Sequence, residues 1–246
     1  MKGELDYNSS ILTGHRAAIS CLGRKSNDES VLYSGSDDKT IRLWDLRSNK
    51  VQKCIVGFDT SVTCLQSSIL NEFLLFASSE GAVYSFDTRF SGVLSNSHIS
   101  SMSDSSIDCI NSISLNIKEE QMSIADDSQS ITVIQCKNGV LNPENLISTN
   151  NPLKKLSRVH SSLIGSINYK KKNPTELVSG GFDCVCCIWD TTSRRPKSSV
   201  NFSITDNTSN QTFNPPFVQY CNYILEDKFV LCGLGDGTVS IKSPLL

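Results

Sequence analysis

Two stretches of the chain carry a histidine, a serine and an aspartate in the same order. His15 precedes a Ser-Gly pair that includes Ser34, and Asp38 follows. His160 precedes a second Ser-Gly pair, and Asp183 follows. These are the three residue types of a hydrolase triad, in which histidine takes the proton of a serine nucleophile and aspartate fixes the ring. The spacing argues against that use. Asp38 lies six residues before Trp44, and Asp183 lies six residues before Trp189. A catalytic constellation occurs once, whereas this one recurs and travels with a tryptophan. No G-x-S-x-G elbow, phosphate-binding loop or paired metal motif accompanies it. The expectation is a non-enzyme, with no catalytic residue, no cofactor and no small-molecule substrate.

The elements around these residues repeat as well. Residues 14–47 run from a His through an alternating strand, a polar turn, a strand ending Ser-Gly, a turn with Asp, and a strand ending Trp-Asp. Residues 160–192 repeat that order. Weaker copies cover about 57–89, 105–137 and 215–243, with Phe86, Ile134 and Lys242 at the Trp position. The surplus between copies falls at about 138–158 and 191–214. Both stretches are rich in Ser, Asn, Thr, Lys and Pro and lack apolar period, so they read as exposed insertions.

Length alone permits one large all-β domain or two smaller ones, and the repeat makes a single domain over residues 1–246 the expectation. The chain is 38% hydrophobic with net charge −2, enough apolar content for a core and no general pull toward nucleic acid or anionic membrane. Interleaved aromatics of a nucleic-acid surface are missing too. The polar start, Met1 to Leu12, has no signal-peptide run, and no apolar stretch approaches the ~18 residues that span a bilayer. The expected location is the cytoplasm or nucleus. Ten cysteines are read as reduced, because they sit in apolar, strand-like runs. In CVCCIWD, Cys184 and Cys186 face one side and Cys187 the other. No second ligand pair answers them, so no metal site is expected.

The GH…SGSDDKTIRLWD block and its copy at 160–192 resemble the WD-repeat (WD40) family. The order of features beyond the repeat is similar to the WD repeat-containing protein 53 family. It is carried by Thr60–Arg89, Ala125–Ser128, Arg158–Pro196 and Asn214-Pro215. The resemblance implies a β-propeller, each blade a four-stranded antiparallel sheet. It further implies a structural network in which His15, Asp38 and Trp44, with Ser34 or a neighbouring serine, are wired together, as are His160, Asp183 and Trp189. About five repeats are present. Two arrangements stay open: an incomplete larger propeller, which is favoured, and a closed five-bladed ring whose last outer strand comes from Glu4 to Leu12.

The resemblance also implies partners, which are expected to be proteins. Trp44-Asp45-Leu46-Arg47 and, more loosely, Phe86-Asp87-Thr88-Arg89 match a WD-x-Arg box. In similar propellers that box marks substrate receptors of the cullin-4 ubiquitin ligase. Its Arg contacts the ligase adaptor, the large subunit of the damaged-DNA-binding complex. The competing reading is a scaffold or peptide reader without a ligase link. Under either, Arg24, Lys25, Lys170–Lys172, Arg47, Arg89, Arg194 and Arg195 are expected on one propeller face. Asp37, Asp38, Glu80, Asp126, Asp127, Asp183 and Asp236 are expected on the other.

Overall fold

The computed structural model describes residues 10–71, 74–79, 81–103, 107–137, 140–141, 154–157, 159–193, 195–204 and 214–243. These residues form strands, joined by turns and one 3-10 turn at Phe202–Ile204; no α-helix occurs among them. Five sheets follow one another along the chain. Blade 1 contains β1 (Ile19–Lys25), β2 (Asp28–Ser36), β3 (Ile41–Asp45) and β4 (Lys50–Ile55). Blade 2 contains β5 (Cys64–Ser67), β6 (Leu74–Ser79), β7 (Ala82–Asp87) and, after the short β8 (Leu94–Ser95), β9 (Ser100–Ser103). β8 pairs in parallel with β4 of blade 1.

Blade 3 contains β10 (Ile110–Leu115), β11 (Gln121–Asp126), β12 (Ile131–Lys137), the short β13 (Val140–Leu141) and β14 (Lys154–Leu156), both of the last two pairing with β12. Blade 4 contains β15 (Ile164–Tyr169), β16 (Glu176–Gly181), β17 (Val185–Asp190) and β18 (Arg195–Asn201). Blade 5 contains β19 (Val218–Ile224), β20 (Phe229–Leu234) and β21 (Val239–Lys242). The polar stretches at 138–158 and 191–214 are therefore not loop throughout. β14 and β18, the outer strands of blades 3 and 4, lie within them. Alternation alone hides such strands, because an outer strand with one wet face carries few apolar residues.

The same turn chemistry closes blade after blade. Between the second and third strands, Asp38, Asp126, Asp183 and Asp236 each accept a hydrogen bond from the backbone N–H two residues on, at 2.9–3.1 Å. A residue in the left-handed region sits within each of these turns: Lys39, Gln129, Cys184 and Gly237. An aspartate side chain that mimics a turn of backbone explains why this residue recurs there. Each innermost strand except β5 also carries a bulge at matching places, between Ile19 and Cys21, Ile110 and Ser112, Ile164 and Ser166, and Val218 and Tyr220.

Apolar seams join the blades. Tyr33, Ile41, Leu43 and Ile55 of blade 1 pack with Phe58, Leu75, Ala77 and Phe86 of blade 2. Further seams unite blades 2 and 3, 3 and 4, and 4 and 5. Among the described residues four such clusters occur, and none of them joins blade 5 to blade 1. The ring-closing strand expected from Glu4 to Leu12 falls outside the described residues up to Ser9.

All ten cysteines are free thiols. Cys184 and Cys186 join the seam with blade 5, and Cys187 the seam with blade 3, although Cys184 lies in the turn rather than on β17. Burial pushes the thiols of Cys64, Cys136 and Cys187 up to about 12, so these side chains act as small apolar groups.

Candidate functional site

The structure wires the recurring polar set in blades 1 and 4 into one chain. His15 Nδ1 lies 2.8 Å from Asp38 Oδ2, and its Nε2 lies 2.7 Å from Ser34 Oγ. Trp44 Nε1 donates to the same Ser34 Oγ at 2.7 Å. In blade 4, His160 Nδ1 lies 3.1 Å from Asp183, His160 Nε2 lies 2.7 Å from Ser179 Oγ, and Trp189 Nε1 donates to Ser179 Oγ at 2.8 Å. One proton arrangement satisfies every group. The indole N–H only donates, so the serine oxygen accepts it and donates its own proton to His Nε2. The Nδ1–H then donates to the carboxylate.

That wiring has the connectivity of a triad but not its chemistry. A nucleophilic serine needs an exposed oxygen beside an oxyanion site. Here each serine oxygen is buried and already accepts from an indole. Ala fits poorly even at Gly181, where a Cβ would stand 2.5 Å from both His160 Nδ1 and Asp183 Oδ1. Burial pushes the Asp38 and Asp183 carboxyls up, but hydrogen bonds outweigh it. Those from Thr40, Arg16 N–H and His15 hold Asp38 far below the usual carboxylate range. Those from His160, Ser161 N–H and Val185 N–H lower Asp183.

The remaining blades fill the same place differently. In blade 2, Phe58, Ala77 and Phe86 stand where blade 1 has His15, Ser34 and Trp44. The Phe58 and Phe86 rings are 5.6 Å apart, close to the 6.1 Å of His15 and Trp44. Blade 3 has Ile124 and Ile134, both buried. Blade 5 has Cys232 and Lys242, the latter exposed.

Arg47 and Arg89 occupy one position in successive blades, two residues beyond the end of the third strand. The preceding aspartates cap that turn. Asp45 accepts from Arg47 N–H at 2.9 Å, and Asp87 accepts from Arg89 N–H at 2.8 Å. Asp190 does the same for Thr192 N–H in blade 4, at 2.8 Å. Asp87 also receives the Arg89 guanidinium, through Nε at 2.9 and 3.0 Å and through Nη2. This fork holds the Asp87 carboxyl low. Arg47 Nη2 donates to Ser30 Oγ at 2.7 Å. Both guanidinium groups remain largely exposed, at 75% and 60% of their side-chain surface. Trp44 and Phe86, by contrast, are buried in the blades, and Arg47, Arg89 and the intervening Leu46 face outward.

Beside Arg89 lies a recess of about 180 Å³ between blades 1 and 2, lined by Lys25, Tyr33, Leu43, Gln52, Lys53 and Arg89 among others. Lys53 Nζ bridges the blades by donating to the Thr88 and Phe90 carbonyls at 2.7 and 2.8 Å. Sequence alone gives Lys53 no special status, because its partners are backbone oxygens of another repeat.

The division into a basic and an acidic face needs correction. Lys170 and Lys197 pair with Glu176, Lys172 with Glu226, and Arg24 with Glu29. Glu119 and Asp227 are buried ties rather than surface charges. Glu119 accepts from Ser68 Oγ and from the Ile69 and Leu70 N–H groups of the neighbouring blade. Asp227 accepts from Lys172 N–H at 2.6 Å. On the other face, Asp38, Asp126 and Asp183 are committed to turns and networks. Arg194 and Glu80 lie outside the described residues. That second face also carries an aromatic pair not expected from sequence: Phe182 and Phe217 stack at 5.4 Å, from turns of adjacent blades.

Comparison with known proteins agrees with this geometry. The WD40 family (WD domain, G-beta repeat) matches residues 7–45 and 150–190. The chain is 25% identical to the WD repeat-containing protein 53 homolog of Dictyostelium discoideum over 94% of its own length and 63% of that protein's. It is 28% identical to the nuclear distribution protein PAC1 of Komagataella phaffii over 72% of its length and 29% of that protein's. It is 30% identical to the E3 ubiquitin-protein ligase COP1 of Pisum sativum over 33% of its length and 12% of that protein's. The chain thus spans less than two thirds of each of these relatives. Proteins with these repeats serve as scaffolds for protein–protein contacts, and the propeller is typically not an enzyme. With two stretches matched by the repeat model and five blades in succession, the chain is an all-β, five-bladed β-propeller that carries WD40 repeats.

Proposed function

We propose that this chain is a non-enzymatic substrate receptor or adaptor of a cullin-4 ubiquitin ligase, acting in the cytoplasm or nucleus. One observation carries the reading: two exposed guanidinium groups stand at the same turn of adjacent blades, each steadied by its own neighbours. Asp87 engages Nε and Nη2 of Arg89, which fixes the guanidinium at the turn while most of its side-chain surface stays exposed toward an adaptor. The recess beside it is lined by Lys25 and Lys53 and suits an acidic side chain. Similarity of a third of the chain to a ubiquitin ligase gives further support.

The test is co-elution of the purified chain with the adaptor, the large subunit of the damaged-DNA-binding complex. The wild type co-elutes, and the double variant Arg47→Ala, Arg89→Ala does not. A wild type that elutes alone removes the reading. A second reading, a peptide reader, is supported by the Phe182–Phe217 stack on the opposite face. Under that reading Phe217→Ala abolishes capture from a peptide array, while the arginine substitutions leave it intact.

A further inference from the structure

One strand of blade 1 touches both arginine turns. β4 starts at Lys50, directly after the turn that carries Arg47, and runs to Ile55. Its pairing with β3 is interrupted between Trp44–Val51 and Leu43–Lys53, where Gln52 is the extra residue. Such a bulge re-aims the side chains beyond it. Without it, Gln52 would stand opposite Leu43. With it, Lys53 takes that place, on the face where Leu43 packs toward blade 2.

Lys53 reaches across the seam to residues 88–90. Its Nζ donates to the Thr88 carbonyl at 2.7 Å and to the Phe90 carbonyl at 2.8 Å. These belong to the residues immediately before and after Arg89. The ammonium also lies 4.6 Å from the centre of the Phe90 ring. The backbone is therefore held on both sides of Arg89, while Asp87 holds the guanidinium itself. The Arg89 fork, and after it the Lys53 charge, keep the Asp87 carboxyl low. Next along the chain, the Cys54 and Val56 N–H groups donate to the Val93 and Ser95 carbonyls at 2.7 and 2.8 Å. The stretch after Arg89 thus lies against blade 1 as β8.

We propose that Lys53 is the positioning residue of the arginine site: it locks the Arg89 turn to the strand that leaves the Arg47 turn, so that the two guanidinium groups meet an acidic partner as one preformed pair. The partner's identity rests on the receptor reading above, whereas the lock is a property of the free chain. Without the ammonium both arginines remain, but the second turn is released from the first. A partner must then order that turn as it binds, and association weakens through lost preorganisation rather than through a lost contact.

Two measurements on the whole chain test this. In the free protein, NMR relaxation reads the backbone N–H and the Nε–H of Arg89. Lys53→Met keeps a side chain of similar length and removes the donors. It lowers the order parameter at Arg89 from about 0.85, typical of rigid backbone, to about 0.6. The N–H groups of Leu43 and Ile55 keep their wild-type order, and Lys53→Arg, which retains charge and donors, restores Arg89. In titrations with the adaptor, Lys53→Met weakens binding roughly tenfold. In an Arg89→Ala background the same substitution has no further effect, because Lys53 acts through Arg89.

Unchanged order at Arg89 in Lys53→Met overturns the proposal. Loss of order spread over blade 1 overturns it too, since Lys53 would then hold the blade and not the turn. A full effect in the Arg89→Ala background overturns it in favour of direct contact between Lys53 and the partner. A wild type that does not bind the adaptor removes the receptor reading alone, and the relaxation measurement still decides the role of Lys53.

Discussion

Blades 1 and 2 lie side by side and solve one problem in opposite ways. Blade 1 fixes its large ring through hydrogen bonds, Trp44 to Ser34 to His15 to Asp38. Blade 2 puts Phe86 against Phe58, with Ala77 where the serine would be, and needs no polar partner. Both rings are buried to the same degree, 2% and 3% exposed. The difference teaches that burial between blades builds the propeller, and that the polar chain is what a buried indole requires. A tryptophan brings an N–H into the seam, and an unpaired N–H there costs about 1–3 kcal/mol. Once the N–H is present, the serine, the histidine and the aspartate follow, each satisfying the one before.

The largest effect that can break this comparison comes from removing the rings. Trp189→Ala in the wired blade 4 and Phe86→Ala in the unwired blade 2 should each destabilise by about 3–5 kcal/mol in denaturant titrations. If only the tryptophan variant suffers, the wiring and not the burial holds the blades.

A smaller effect sharpens the same point from the apolar side. Ala77→Ser places a hydroxyl in blade 2 with neither indole nor imidazole to meet it. The expected loss is about 1–3 kcal/mol in the same titration. Unchanged stability would mean that the seam tolerates an unpartnered hydroxyl, and that blade 1 did not need its histidine.

The smallest effect is on pH dependence. Asp38 and Asp183 have folded-state values below their unfolded ones, so their contribution is present above the unfolded value of about 4 and is lost as pH falls through the folded value. Melting temperature should therefore decline from about pH 4 downward. Asp38→Asn should have a lower melting temperature at pH 7 and a shallower decline in acid. A variant with the wild-type acid slope would show that the carboxylate is not coupled to the fold.

The comparison also marks what the sequence discloses. Blades 1 and 4 are legible because a polar chain demands particular residue types at fixed spacing: His15 and His160, Asp38 and Asp183, Trp44 and Trp189. Blade 2 is legible only against that template, since any apolar triplet satisfies it. The outer strands Lys154–Leu156 and Arg195–Asn201 read as loops because pairing through backbone leaves little mark on side-chain type. The burial of Glu119 and Asp227 leaves no mark in the sequence for a similar reason. Their partners are backbone N–H groups, with the Ser68 hydroxyl, more than forty residues away, which no local pattern encodes. The arginine turns are visible in the sequence, and the hold of Asp87 on Arg89 is local, but the contact of Arg47 with Ser30 needs blade 1 folded and the recess beside Arg89 exists only after blades 1 and 2 are stacked.

The central claim is that the recurring serines are acceptors for buried indoles and not nucleophiles. The most direct measurement is thermal unfolding of the double variant Ser34→Ala, Ser179→Ala. Two buried indoles then lose their acceptor, at about 1–3 kcal/mol each, or roughly 2–4 °C per kcal/mol for a chain of this size. The account predicts a melting temperature lower by several degrees. A double variant that melts with the wild type would contradict it.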